Sequence, residues 1–263
     1  ENNREIAGVP TGFYDVDRLL NGLRAPHHYV IGARPGVGKS TFALGIAEYA
    51  AAQGYKVLLF SLEMSSKQIM DRRISAHTKI DSQRIQKPWL LKDNEVAQVY
   101  TAAAQLTERP LFIETQSGLT PSQIRAKAMR MHAEHGLDLM IVDHLHLVRP
   151  DVPRNRKDLE IDDNVRTLTG IYKTLGVPGL TVSQLSRSVE HRSEKRPSLA
   201  DLRESGAIEE EAFVAMMLYR ESYYSPDTPK KPNEVEVLIV KNREGPTGSV
   251  ALYWDSACVA FRN

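Results

Sequence analysis

The sequence predicts an α/β domain with a largely parallel central sheet, flanked by helices and completed by antiparallel strands at one edge. Three observations carry this. Short apolar runs alternate with amphipathic segments of roughly a dozen residues or more, the length a crossover between parallel strands needs. The last apolar runs follow one another closely with no helical segment between them, as antiparallel neighbours do. A glycine turn, Gly36-Val37-Gly38, stands between the first apolar run and the first amphipathic segment, where a strand–loop–helix anion site belongs.

In chain order, the first strand is read at His28–Ala33 and the first long helix at Ser40–Gln53, closed by Gly54 at the C′ position. A strand at Lys56–Ser61 precedes helices at Ser65–Thr78 and Asp93–Glu108, then a strand at Leu111–Glu114. Thr120 and Pro121 read as an N-cap and a first-turn proline opening a helix to His135. A strand at Leu137–Asp143, a helix at Leu159–Leu175 and a strand at Val177–Ser183 complete the alternating part. Strands at Phe213–Tyr219, Val235–Lys241 and Ser249–Trp254 form the antiparallel edge.

With 263 residues, 41% of them apolar, the chain can bury one substantial core or two small ones. One domain over 1–263 is favoured, because no linker-like stretch divides it. The breaks at Pro150 to Pro153 and Ser225 to Pro232 read as loops. Residues 1–7 read as the remnant of a linker. One cysteine, Cys258, excludes an intrachain disulfide and points to a reducing cytoplasm. No apolar run reaches the roughly 18 residues of a membrane helix. The 34 basic and 33 acidic residues leave a net charge of +1, not the excess of a protein that coats nucleic acid. Any contact with DNA is therefore expected from local loops.

The run Ala33-Arg34-Pro35-Gly36-Val37-Gly38-Lys39-Ser40 reads as a phosphate loop. Its glycines let successive N–H groups face phosphate oxygens. Lys39 is placed to reach the β- and γ-phosphates of ATP, Ser40 to hold Mg²⁺, and Thr41 to begin a helix whose positive end favours the anion. Ala33 stands where the usual pattern has its first glycine. Asp143 ends the run Leu139-Met140-Ile141-Val142; many strands end in Asp, but beside a phosphate loop it reads as a Mg²⁺ ligand. Glu63 closes Val57-Leu58-Leu59-Phe60-Ser61-Leu62. It is either a base for the attacking water or a solvated acid at a helix start.

Motifs in fixed order, from Gly8 to about Trp254, resemble the RecA-like motor domain of the DnaB-type replicative helicases. They are Gly8-Val9-Pro10-Thr11-Gly12-Phe13, Ala33–Ser40, Ser61-Leu62-Glu63-Met64-Ser65, Val142-Asp143-His144-Leu145-His146-Leu147, Ser183-Gln184-Leu185-Ser186-Arg187-Ser188-Val189-Glu190, Lys195-Arg196-Pro197, Asp201-Leu202-Arg203-Glu204-Ser205-Gly206 and Lys241-Asn242-Arg243-Glu244-Gly245-Pro246-Thr247-Gly248.

The resemblance implies Glu63 as catalytic base and Gln184 as a γ-phosphate sensor. It implies Lys241 and Arg243 as a basic pair supplied by a neighbouring subunit, and Arg72 as a contact to nucleotide or subunit interface. Taken without it, Lys241 and Arg243 are two exposed charges on an edge strand. It further implies that Arg203, Glu204 and Gly206 line a channel for single-stranded DNA. Arg154, Arg156 and Lys157 form a second candidate channel loop or simply a solvated face. Neither segment interleaves aromatics, which favours backbone tracking over base stacking.

The implied assembly is a homo-oligomer, a hexameric ring, with a helicase loader and primase as further partners and no membrane. The implied direction is 5′ to 3′. The family's amino-terminal collar domain is not in the sequence. His144 and His146 stand where the family usually has Tyr and Gln, Asn242 where it has Gln, and Glu210, Glu211 and Phe213 where it has a Q-D-x-D pattern. Two rival readings are a RecA-fold recombinase or ring ATPase without unwinding activity, and a non-catalytic nucleotide-gated assembly module.

Overall fold

The computed structural model describes residues 6–192, 194–202, 206–225 and 231–263. Their strands form one nine-stranded sheet, β3-β2-β4-β5-β1-β6-β7-β8-β9. The ranges are β1 His28–Ala33, β2 Val57–Ser61, β3 Leu111–Glu114, β4 Leu139–Asp143, β5 Gly179–Gln184, β6 Val214–Tyr219, β7 Glu234–Asn242, β8 Gly248–Asp255 and β9 Ala260–Arg262. Pairing is parallel from β3 to β6 and antiparallel from β6 to β9, as the alternation of segments predicts.

The helices are α1 Tyr14–Leu20, α2 Lys39–Ala52, α3 Ser66–Thr78, α4 Ser82–Gln86, α5 Asp93–Glu108, α6 Pro121–His135, α7 Lys157–Leu175, α8 Gly206–Glu211 and α9 Glu221–Tyr224. Among the described residues none is long and apolar enough to cross a membrane. Thr120 caps α6 in a box with Gln123, with Pro121 in the first turn. Gly54 takes φ +89 beyond the end of α2, the left-handed position expected of it.

Side chains of each central strand alternate between two cores. Tyr29, Ile31, Leu59, Ile141 and Val182 face one with α2; Val30, Phe60, Met140 and Val142 face the other with α6 and α7. Both faces are covered, which is why these strands read as continuous apolar runs. The Gly8–Phe13 motif packs on α2. Asp17 accepts from Thr11 N at 2.8 Å and Gly12 N at 3.1 Å, and Phe13 stacks on Phe42 with centroids 4.7 Å apart.

Some expected boundaries move. Lys56, Leu137, Val177 and Phe213 lie outside the strands assigned to them, and α2 begins at Lys39 rather than Ser40 or Thr41. His144 is extended, whereas His146 lies in a 3₁₀ turn, Leu145–Leu147.

Candidate functional site

Register brings the predicted glycine loop, Asp143 and Gln184 to one edge of the sheet. Ala33 at the end of β1 lies opposite Gln184 on β5, and Ser61 at the end of β2 lies opposite Asp143 on β4. The carboxyl ends of β2, β4, β5 and β1 are neighbours, and an open α/β sheet holds its ligand crevice outside such ends.

The loop between β1 and α2 is shaped for an anion. Gly36 and Gly38 take φ +80 and +118, the left-handed region that turns backbone amides inward. The first turn of α2 has no side-chain cap, so its N–H groups are free to face phosphate oxygens. Pro35 and Gly36 are exposed while Val37 is fully buried, pinning the loop from below. The Arg34 guanidinium turns back, donating to Glu190 Oε1 and the Leu185 carbonyl, both at 2.7 Å. Arg34 therefore anchors the loop through its side chain.

Lys39 is buried, with Nζ 3.4 Å from Glu63 Oε2. The Ser40 hydroxyl donates to Asp143 Oδ1 at 3.1 Å. Burial pushes the Asp143 carboxyl up to about 6, opposed by the Ser40 hydrogen bond and the Lys39 charge. A hydroxyl beside a carboxylate is a hard-oxygen pair that suits Mg²⁺, and a divalent charge there would restore the ionised form. Arg72 NH1 donates to Thr41 Oγ1 at 3.4 Å. Burial lowers the Arg72 pKa, against the Asp143 and Glu63 charges that raise it. A cleft of about 210 Å³ is lined by Gly36, Lys39, Thr41, Glu63, Arg72 and Trp254, among others. Arg72 thus joins the site through its own cleft.

The structure places the basic pair elsewhere. Asn242 lies opposite Val214, and Val214 opposite Tyr29 near the start of β1. Lys241 and Arg243 therefore stand at the amino edge of the parallel strands, away from the loop of their own chain. Lys241 Nζ donates to the Glu209 carbonyl at 2.5 Å, and Arg243 donates to that of Glu210, so together they hold the end of α8.

Of the residues expected to face DNA, Arg203 and Glu204 lie outside the described residues. Gly206 opens α8 and is exposed. Ala207 N donates to Asp162 Oδ1 at 3.0 Å, laying α8 along the early turns of α7. The loop leading into α7 carries Arg154, paired with Asp163 at 2.9 Å, and Arg156, paired with Asp158; exposed Lys157 is the first residue of α7. Gly206 and the loop carrying Arg154 thus both lie beside the early turns of α7.

Spacing gave no sign of Arg220 or Trp254. Arg220 NH2 donates to the Gly36 carbonyl at 3.1 Å, and its guanidinium lies 5.1 Å from the Trp254 ring centroid. A Cβ on Gly38 would approach Phe261 Cζ to 2.9 Å, so the carboxyl-terminal strands press on the loop and demand glycine there.

Comparison with known proteins adds the lineage of this arrangement. The family described as DnaB-like helicase C terminal domain matches residues 8–263. The replicative DNA helicase DnaB of Haemophilus influenzae is 38% identical over 266 residues, covering 100% of this chain and 57% of that protein. DnaB of Geobacillus stearothermophilus is 37% identical over 250 residues, covering 94% of this chain and 55% of that protein. The chain thus spans little more than half the length of these curated relatives. Among solved structures, one described as an ATPase domain matches with a TM-score of 0.94 at 32% identity, over 99% of this chain and 93% of that one. A DnaB-like replicative helicase, described with its interactions with primase, matches at 0.93 and 33% identity, over 98% and 62%.

Proposed function

Because this chain belongs to the DnaB-like helicase C-terminal domain family, we propose that it is the ATP-driven motor of a ring-forming replicative DNA helicase, hydrolysing ATP between subunits. Its fold is RecA-like, as in the ATPase domains it superposes on. One observation carries the proposal: Lys39, Ser40, Glu63, Asp143 and Gln184 converge at the carboxyl edge of the parallel strands, while Lys241 and Arg243 stand at the amino edge. A complete phosphoryl-transfer site then requires two copies.

The loop amides of Gly36 to Ser40 bind the phosphates, and Lys39 Nζ leaves Glu63 to meet the γ-phosphate. Ser40 and Asp143 would hold Mg²⁺, which would supply charge to neutralise the phosphates. Glu63 accepts a proton from the attacking water. Arg243 and Lys241 of the next copy stabilise charge on the transferring phosphoryl, a contribution of about 10³–10⁵ in rate in comparable systems. Gln184, at the tip of β5 next to Ala33, senses the γ-phosphate and passes its state to the channel segments. Arg203, Glu204, Gly206, Arg154, Arg156 and Lys157 track the backbone of one DNA strand, 5′ to 3′. A hexameric ring, working in the cytoplasm with a loader and primase, is the assembly this reading expects.

The test is ATP turnover against protein concentration, with and without single-stranded DNA, for wild type and Arg243→Ala. Turnover should rise faster than in proportion to concentration, increase with DNA and collapse in the variant. Linear turnover that ignores both DNA and the substitution would remove the intersubunit motor.

A further inference from the structure

Glu63 has two neighbours on one oxygen. Lys39 Nζ is 3.4 Å and His144 Nε2 3.5 Å from Oε2, leaving Oε1 to face water from a side chain that is 52% exposed. His144 is 7% exposed, and its Nδ1 is buried without a hydrogen-bond partner. Burying an N–H with no acceptor costs a full desolvation penalty, whereas an Nε2–H facing a carboxylate is favoured. The ring therefore presents an N–H at Nε2, towards Glu63.

We infer that His144 is a positioning residue for Glu63, its Nε2–H fixing the carboxylate that accepts the proton of the attacking water. The inference deepens the proposed function and rests on it. Lys39 serves the phosphate in that function, so when it turns away His144 is the donor that still faces Oε2. A half-exposed glutamate left unheld samples several rotamers, and only some aim Oε1 at a water in line with the γ-phosphorus. In the step itself the water oxygen bonds to phosphorus and its proton passes to Glu63. The bond from phosphorus to the β,γ-bridging oxygen breaks, and its electron pair leaves with ADP. His144 keeps its proton throughout.

The experiment is steady-state ATP hydrolysis with Mg²⁺ by the full chain, over a range of ATP concentrations. Four proteins are compared: wild type, His144→Phe, His144→Asn and His144→Gln. Glutamine places an amide N–H near the Nε2 position; asparagine and phenylalanine do not. Phe and Asn should each lower kcat by about tenfold or more while KM for ATP moves by less than about twofold, and Gln should recover most of the rate. If Phe fails to fold, the Asn and Gln pair carries the comparison. In a Glu63→Gln background, His144→Asn should leave the residual rate unchanged.

Equal rates in Asn, Gln and wild type overturn the inference. Equal losses in Asn and Gln, or losses in KM alone, overturn it in favour of packing. A fully active Glu63→Gln chain instead removes the parent reading, a result distinct from any of these.

Discussion

His28 begins β1 with its ring wholly buried, and each nitrogen has one partner: Nδ1 lies 2.9 Å from Thr169 Oγ1 and Nε2 2.9 Å from Thr181 Oγ1. Thr169 donates its own proton to the Val165 carbonyl, so it accepts from Nδ1–H. The Tyr172 hydroxyl, 2.9 Å from Thr181 Oγ1, donates to it and leaves the Thr181 proton for Nε2. This chain of donors is complete for a neutral ring. Burial accordingly pushes the His28 pKa from 6.5 down to about 3. A lowered folded pKa means stability that is full above the unfolded value and lost as pH falls towards the folded one. Between pH 7 and 5 this group alone should cost about 2 kcal/mol. Asp143 acts with the opposite sign, since a carboxyl raised to about 6 gains protons on folding as pH falls. A difference measurement separates them: urea unfolding of wild type and His28→Gln at pH 7 and pH 5. The wild type should lose about 2 kcal/mol more than the variant on acidification, and parallel pH profiles would discard the buried-neutral account.

Helices α2, α3 and α5 are held in alignment by one carboxylate. Glu48 on α2 accepts from Arg73 Nε on α3 and, at 2.8 Å, from Arg109 NH1 just beyond α5. Arg73 also donates to the Leu106 carbonyl on α5 at 2.8 Å and is 5% exposed. Arg72, the next residue along α3, lines the cleft beside Lys39 and Glu63. Glu48→Ala leaves a buried guanidinium without its counter-charge, a loss of about 3–5 kcal/mol, and frees α3 to shift Arg72. Glu48→Gln keeps an acceptor and should lose less. Denaturant midpoints for the two variants give the answer, and an unmoved midpoint in Glu48→Ala would show that the latch carries no load. This latch joins residues distant in sequence, and so marks what could not be read there. Of the helices of 13 to 19 residues, α3, α5, α6 and α7 were legible because each spans several periods of an apolar stripe; α2, apolar on most sides, was legible from its length and the glycine turn before it. Helices α1, α4, α8 and α9, with 7, 5, 6 and 4 residues, are too short for a period to declare itself. The phosphate loop was legible because its chemistry is contiguous. Arg220, reaching Gly36 from 184 residues away, was not, because only the closing of β6 beside β1 brings it near.

At the scale of the molecule, the sheet separates the glycine loop from the basic pair. Strand β1 has six residues, so at about 3.3 Å per residue its ends lie roughly 17 Å apart. The loop is at one end, and Lys241 and Arg243 stand level with the other. No side chain spans that gap, so the pair either serves only to hold the end of α8 or completes the site of another copy. Head-to-tail contact of identical chains sets the amino edge of one against the carboxyl edge of the next, and closes into a ring when the rotation permits. The two roles are separable by complementation. A Lys39→Ala chain keeps its basic pair and loses its loop; an Arg243→Ala chain does the reverse. Each alone should show little basal ATP turnover. In an equal mixture about one interface in four joins an intact loop to an intact Arg243, so turnover should reappear at about that fraction of wild type. A mixture no more active than its components would confine Lys241 and Arg243 to capping α8. Recovery that depends on total protein concentration would instead locate the missing half of the active site on the neighbouring subunit.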